Sequence, residues 1–269
     1  MTQADESGYD TRLPNALIDY DRIADVYDLY ATSDFDIDFY IAEASKTQGK
    51  VLELMCGTGR VSIPLLEAGV DLTCVDASEG MLTRLAQRLQ ARQLKAEVLH
   101  ADVRHLDLPK EFDLALIPFH SFSELVSVHD QKMALRAIYS CLREGGRLIC
   151  PLQNPAIRAR TADGALRLNG SFPTTEGLLI ISGFEILDEA SGLINRTQFY
   201  EFFDDSNALK AKRVLPMRFA LIDRAEFAEL ANATGFSVGA LYGDYDRGEY
   251  LEGSSPYMIW VLETARVAS

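Results

Sequence analysis

Between residues 50 and 151, five short apolar segments recur with helical patterns between them. The segments are KVLEL (50–54), DLTCV (71–75), KAEVL (95–99), FDLALI (112–117) and GRLICP (146–151), and the helical patterns occupy 60–68, 78–93 and 129–143. Strands that alternate with helices are joined by right-handed crossovers, which build a parallel, doubly wound α/β sheet. Glu144-Gly145-Gly146 is expected to end the last of these helices, since glycine adopts the left-handed turn of a helix C-terminus without steric cost.

The text changes on either side of this block. After Leu152, GLLIISGFEILDEASGLINRTQFYEFFDD alternates apolar and polar residues around the turn former Ser191-Gly192, which predicts antiparallel strands. Residues 223–234 read as a helix with Asp223 as N-cap and Gly235 just past its end, and FSVGALY and SPYMIWVLE read as a closing pair of strands. Before the block, Tyr20, Tyr27 and Tyr30 fall at spacings that share one face of a helix spanning 18–39, while residues 1–15 look loosely attached. The expected organisation is an N-terminal helical lid over 1–45, a core over 46–152 and 219–269, and an antiparallel β cap over 153–218.

Charge narrows the partners. The 269 residues carry a formal net charge of −14, which repels nucleic acid and anionic membrane surfaces. Neither is an expected partner. The four cysteines form no C-x-x-C pair and lie in or beside apolar runs, which suits buried thiols and gives no zinc pattern. No leader-like N-terminus and no apolar run near the ~18 residues of a membrane span is present, so a soluble cytoplasmic protein is expected.

VLELMCGTGR (51–60) is the most informative stretch. Gly57 and Gly59 let backbone approach a ligand at the first strand-to-helix turn, the usual ligand site of such a sheet. A dinucleotide site would want a third glycine, but Arg60 follows Gly59 directly. Glu53, Asp76 and Asp102 each end one of three successive strands. An acid in the loop suits a cationic amino group, one at the second strand end takes both hydroxyls of a ribose, and one at the third accepts from the exocyclic amine of adenine. Together they describe S-adenosylmethionine (SAM).

Here the chain resembles the class I SAM-dependent methyltransferases. The resemblance covers residues 18–151 well and rests on VLELMCGTGR, LTCVDASEGML, HADVRHLDLPKEFDLALIPFHSF and LREGGRLIC, in the family's order and spacing. It implies a Rossmann-like, doubly wound seven-stranded sheet with an antiparallel β cap inserted after the fifth strand. It implies a glycine loop under the methionine part of the cofactor, Asp76 on the ribose, Asp102 and Val103 on the adenine edge, and Ala77 and Met81 packed on the adenine. Met55 stands where the family's first loop glycine does, so its side chain must turn away or wall the pocket.

The acceptor is expected over the end of the fourth strand, where Pro118, Phe119 and His120 emerge. His120 is the candidate base, because an unperturbed imidazole titrates near neutral pH. His100, His105 and His129 read as structural or solvated. Tyr20 and Tyr30 are candidates for the cofactor's carboxylate by resemblance to small-molecule methyltransferases, with Arg60 as the alternative. Asn154, Tyr200 and Arg218 are candidates for the acceptor, with either face of the strand around Tyr200 free to cover the site and the other left for solvent or a homodimer partner. The leading expectation is methyl transfer to N or O of a small molecule. A nicotinamide-dependent oxidoreductase, a non-catalytic SAM-binding protein and a protein methyltransferase are the alternatives.

Overall fold

The computed structural model describes residues 17–265. The loose attachment expected for residues 1–15 lies outside them. In chain order the elements are α1 (Tyr27–Tyr30), α2 (Ile37–Ala44), β1 (Lys50–Leu54), α3 (Ser62–Glu67), β2 (Leu72–Asp76), α4 (Glu79–Arg92), β3 (Glu97–His100), β4 (Phe112–Leu116), α5 (Val128–Cys141) and β5 (Leu142–Gln153). There follow α6 (Pro155–Thr161), β6 (Arg167–Thr174), β7 (Gly177–Asp188), β8 (Leu193–Phe203), β9 (Leu209–Ala220), α7 (Arg224–Ala233), β10 (Ser237–Tyr242) and β11 (Tyr257–Glu263). Among the described residues no helix is long and apolar enough to cross a membrane.

Seven strands form one sheet in the order β10-β11-β5-β4-β1-β2-β3, with β1 to β5 parallel and β11 antiparallel to both of its neighbours. The central strands are covered on both faces, so Val51, Leu52, Leu54, Leu114, Ala115 and Leu116 are all fully buried. That is why they read as continuous apolar runs instead of alternating. Strand order reverses between β1 and β4, which opens a crevice beyond their carboxyl ends. The sheet closes on α7, where Asp223 is the N-cap as expected and forms a reciprocal capping box with Glu226.

The remaining strands form a separate antiparallel sheet, β6-β7-β8-β9, with Gly192 in a left-handed turn between β7 and β8. Leu179, Ile181, Tyr200, Leu215 and Met217 from this cap bury a cluster with Ile23, Ala24 and Val26 of the N-terminal segment and Met81 of α4. The cap therefore seats on the N-terminal segment as well as on the core.

Two local expectations are corrected. The helix predicted over 18–39 is broken into a 3-10 turn at Tyr20–Arg22, the single turn α1, and α2. Its acids are drawn to partners on the core: Asp36, at the N-cap position of α2, gives no capping hydrogen bond because its carboxylate holds Arg60. Tertiary contacts thus override local periodicity. Likewise α5 ends at Cys141, before Gly145 and Gly146. The pairing of β4 with β5 jumps from Phe112↔Leu142 to Leu114↔Arg147, so the glycines serve a bulge in β5, with Gly145 at φ +71°.

Glu43 locks α2 to the sheet. Its carboxylate is almost fully buried and accepts from Lys46 Nζ (2.5 Å), from Arg147 Nη1 on β5 (2.7 Å) and from Arg247 Nη2 in the β10–β11 loop (2.7 Å). Burial alone would raise its pKa, but these hydrogen bonds hold it down at about 2. Glu43→Ala is expected to cost roughly 2–4 kcal/mol in urea unfolding, because it strands cations around a buried position. Since the folded pKa is depressed, the stabilisation from ionised Glu43 is complete above the unfolded carboxylate pKa and is lost as pH falls toward 2. The variant should show less acid sensitivity than the wild type in that window.

Candidate active site

β1 leads into Met55-Cys56-Gly57-Thr58-Gly59, with Met55, Gly57 and Gly59 at φ +55°, +57° and +85°. The two glycines have different reasons to be glycine. A Cβ on Gly57 would meet nothing within 4 Å, since that face opens on a cavity, whereas one on Gly59 would lie 2.4 Å from Leu85 Cδ1 of α4. Gly59 is thus a packing residue and does not line the cavity. Met55 accepts a left-handed conformation that costs a non-glycine residue roughly 1–2 kcal/mol, and its side chain both walls the cavity and packs on the core.

Asp76 ends β2 and ties the loop down. Its Oδ2 accepts from Gly57 N and its Oδ1 from Ser78 N, both at 2.8 Å. Burial raises its pKa and these backbone bonds oppose the rise. Each oxygen keeps lone-pair capacity for a ligand hydroxyl. Ala77, Met81, Asp102 and Val103 line the same cavity. Asp102 is engaged: Arg104 Nε reaches both of its oxygens at 3.0 Å and Nη2 reaches Oδ2 at 2.5 Å.

The N-terminal segment roofs the cavity, and its acids hold it there. Asp21 accepts from Ser78 Oγ (2.7 Å) and Gly80 N (2.6 Å), Asp28 from Thr58 Oγ1 (2.5 Å), and Asp36 from Arg60 Nη1 (2.5 Å) and Nη2 (2.7 Å). Tyr20, Tyr27 and Tyr30 then face the cavity in edge-to-face contact. Tyr20 Oη donates to Glu124 Oε1 (3.0 Å), and Tyr30 Oη shares a hydrogen bond with Tyr200 Oη of β8 (2.9 Å).

At the end of β4, Phe119 and His120 occupy successive left-handed conformations, φ +59° and +64°. Strain of this kind, about 1 kcal/mol or more per residue, persists where the surroundings fix it, and commonly at functional sites. The His120 ring stacks on Tyr257 at 4.8 Å, and its Nε2 is buried with no partner among the described residues. Burial, then the charges of Arg60 and Arg158, push its pKa down to about 4. The unperturbed titration assumed from the sequence is corrected: His120 is neutral at physiological pH and a weak base.

Five further sequence candidates stand elsewhere. Glu53 is buried beneath the loop, accepts from Ser62 Oγ at 2.6 Å, and is pushed by burial to about 8, so it holds a proton at neutral pH and presents no anion to the cavity. Arg60 is held by Asp36 and by the Ser33 carbonyl, with its guanidinium over the Phe119 ring at 4.7 Å. Pro118 is buried and does not line the cavity. Asn154 caps α6 through Ala156 N and donates to the carbonyls of Glu252 and Ser255, so its polar atoms serve the fold. Arg218 falls between Met217 and Phe219, which both line the cavity, so strand alternation turns it to the opposite face of β9.

Sequence reasoning missed Glu124, Arg158 and Arg196, and placed Gln198 beside Tyr200 on one of two faces without choosing between them; all four line the cavity. Glu124 carried a faint signal as the one acid in the apolar SFSELV that follows β4. Burial pushes its carboxyl to about 8. On β8 the question of which face covers the site is answered: Arg196, Gln198 and Tyr200 point inward.

The whole forms one cavity of about 660 Å³, running from the glycine loop past Asp76 and Asp102 to His120 and the cap. A seven-stranded sheet of this order, with a glycine loop and strand-end acids around a roofed crevice, defines a class I SAM-dependent methyltransferase, and the chain belongs to that family. Residues 51–146 match the family described as "Methyltransferase domain". The chain is 30% identical to the glycine/sarcosine N-methyltransferase of Parasynechococcus marenigrum over 84% of its own length and 77% of that relative's. It is also 30% identical to the enzyme of that name from Halorhodospira halochloris, over 90% and 86%. Its fold is shared with the CcbJ methyltransferase of Streptomyces caelestis (TM-score 0.79, 22% identity, 94% and 100% covered). It is shared too with the sugar N-methyltransferase KedS8 of Streptoalloteichus sp. (0.73, 19%, 97% and 98%). This family, SAM-dependent and enzymatic, sets aside the oxidoreductase and non-catalytic alternatives.

Asp76→Ala is expected to weaken SAM binding about tenfold or more, by removing a charged acceptor and loosening Gly57 together. Calorimetric titration checks this.

Proposed function

We propose that the protein transfers the methyl group of SAM to the amine nitrogen of a small molecule. One observation carries the reading: a single cavity of about 660 Å³, roofed by the N-terminal segment, joins the Gly57–Asp76 end to a polar chamber under the cap whose size suits a small acceptor. The relatives named as glycine/sarcosine and sugar N-methyltransferases support nitrogen over oxygen.

The residues present fit the cofactor. Gly57 leaves open space beside backbone, Asp76 has acceptor capacity for ribose hydroxyls, and Met81, Ala77 and Val103 offer an apolar slot that Asp102 borders. When bound, SAM supplies a methyl group on a positively charged sulfur. The chain's own task is to exclude water, align the acceptor and manage its proton. Tyr20, Tyr27 and Tyr30 provide the exclusion.

An amine arrives largely as ammonium at neutral pH and has to lose a proton before its lone pair is free. Glu124 suits this better than His120, because its carboxyl lines the cavity with Oε1 on Tyr20 and titrates close to working pH. Activity should therefore rise with pH through about 8 as Glu124 ionises. Glu124→Gln should lower kcat by about 10²-fold or more and abolish that inflection, while His120→Asn keeps it.

The reading itself is tested with methyl-labelled SAM and a small-molecule extract, followed by mass spectrometry. Label on a small amine is the expected result. Label on oxygen, or only on protein, would overturn it.

A further inference from the structure

The part of the cavity under the cap holds more hydrogen-bond donors than the protein itself uses. Arg158 of α6 and Arg196 of β8 both line it, and both lean on one carboxylate, that of Glu185, which sits directly across the sheet from Arg196. Their side chains are only 13% and 26% exposed, so one unit of positive charge in excess is held largely out of water. A further neighbour of Arg196 adds no charge: with its amide oriented to satisfy both of its atoms, Asn169 accepts from Arg196 Nη2 at 3.0 Å.

Two further groups are unused. Arg158 Nε is buried with no partner among the described residues. Gln198, two residues from Arg196 on the inward face of β8, is 3% exposed, lines the cavity, and its amide makes no hydrogen bond to a described residue. Polar groups left unpaired inside a fold cost stability unless a ligand completes them, and an excess buried cation costs more. What completes this set is an anion, because guanidinium and amide N–H groups only donate and a carboxylate or phosphate only accepts.

We propose that Arg158, Arg196 and Gln198 form an anion-binding subsite that holds an acidic group of the methyl acceptor, which is therefore a small amine carrying a carboxylate or a phosphate. This rests on the methyl-acceptor reading of the cavity. It adds the acceptor's second functional group, which would fix the amine in line with the transferred methyl from its far end.

The test uses the full-length protein loaded with S-adenosylhomocysteine, titrated with acetate and separately with inorganic phosphate. Saturable binding of one of the two is expected, weakened about tenfold or more in Arg196→Gln and in Gln198→Glu, with affinity for S-adenosylhomocysteine unchanged. Gln198→Glu keeps the proposal falsifiable if loss of Arg196 disturbs the cap, since it keeps both arginines and Glu185 and places in the subsite a tethered carboxylate that competes for the guanidinium groups and repels the added anion. Preference for acetate points to amino-acid-like acceptors, and preference for phosphate to phosphorylated ones. Absence of saturable binding by either anion, or binding unaltered in both variants while S-adenosylhomocysteine remains bound, overturns the subsite and leaves the methyl-transfer reading standing.

Discussion

The cavity has a roof because the aspartates of the N-terminal segment find donors along the loop edge of the sheet. The tightest of these unions is Asp36 with Arg60, two parallel hydrogen bonds between a fully buried carboxylate and a guanidinium that is 14% exposed. Taking both charges out of water is costly, and the pair is sustainable only because their remaining hydrogen-bonding capacity is met. The Ser33 carbonyl and the face of Phe119 meet it. Arg60 directly follows the glycine loop and Phe119 lines the cavity just past β4, so one ion pair joins the roof, the glycine loop and the turn after β4. Displacing it would disturb all three.

Gly80 shows how close that roof lies. A Cβ there would fall 2.8 Å from Asp21 Oδ1 and 3.3 Å from Asp21 Cα, so the segment rests on the first turn of α4 where only glycine leaves room. Its acid meets the Gly80 N–H, one of those that a helix N-terminus leaves unpaired. The left-handed residues Met55, Phe119 and His120 all stand just past the carboxyl ends of β1 and β4, on either side of the strand-order reversal. Backbone strain is concentrated where the chain must turn away from the sheet and still leave a cavity.

The parallel sheet was readable because fully buried parallel strands and their crossover helices impose period and length on the text. Asp223 and Ser191-Gly192 were readable because caps and turns act locally. The three tyrosines were correctly placed on one side although the helix that suggested it is broken, since the segment lies along the cavity whether or not it is regular. Asp21, Asp28 and Asp36 carry no local sign of their partners. Their role depends on Ser78, Thr58 and Arg60, which lie 24 to 57 residues away in sequence. Glu53 was misjudged for a related reason: a strand-end acid looks the same in sequence whether it faces a ligand or, as here, Ser62 and the loop's underside. Arg158 and Arg196 lie in text without a motif, and only the cap's register brings them together.

The chain's charge of −14 is a poor guide to the charge of this cavity. Burial keeps Glu53 and Glu124 protonated at neutral pH, and Asp102 shares Arg104 with Asp130, so part of the acidity near the glycine loop is silent. Asp76 keeps acceptor capacity there, which suits the hydroxyls and positive sulfur of SAM. Under the cap the balance reverses, with two guanidinium groups on one carboxylate. Charges on the outer surface are screened over about 8–10 Å at physiological salt, whereas those lining a roofed cavity act at close range through a medium of low polarity. Surface and cavity can therefore carry opposite local balances of charge, because the roof keeps the groups under the cap apart from the screened charges outside.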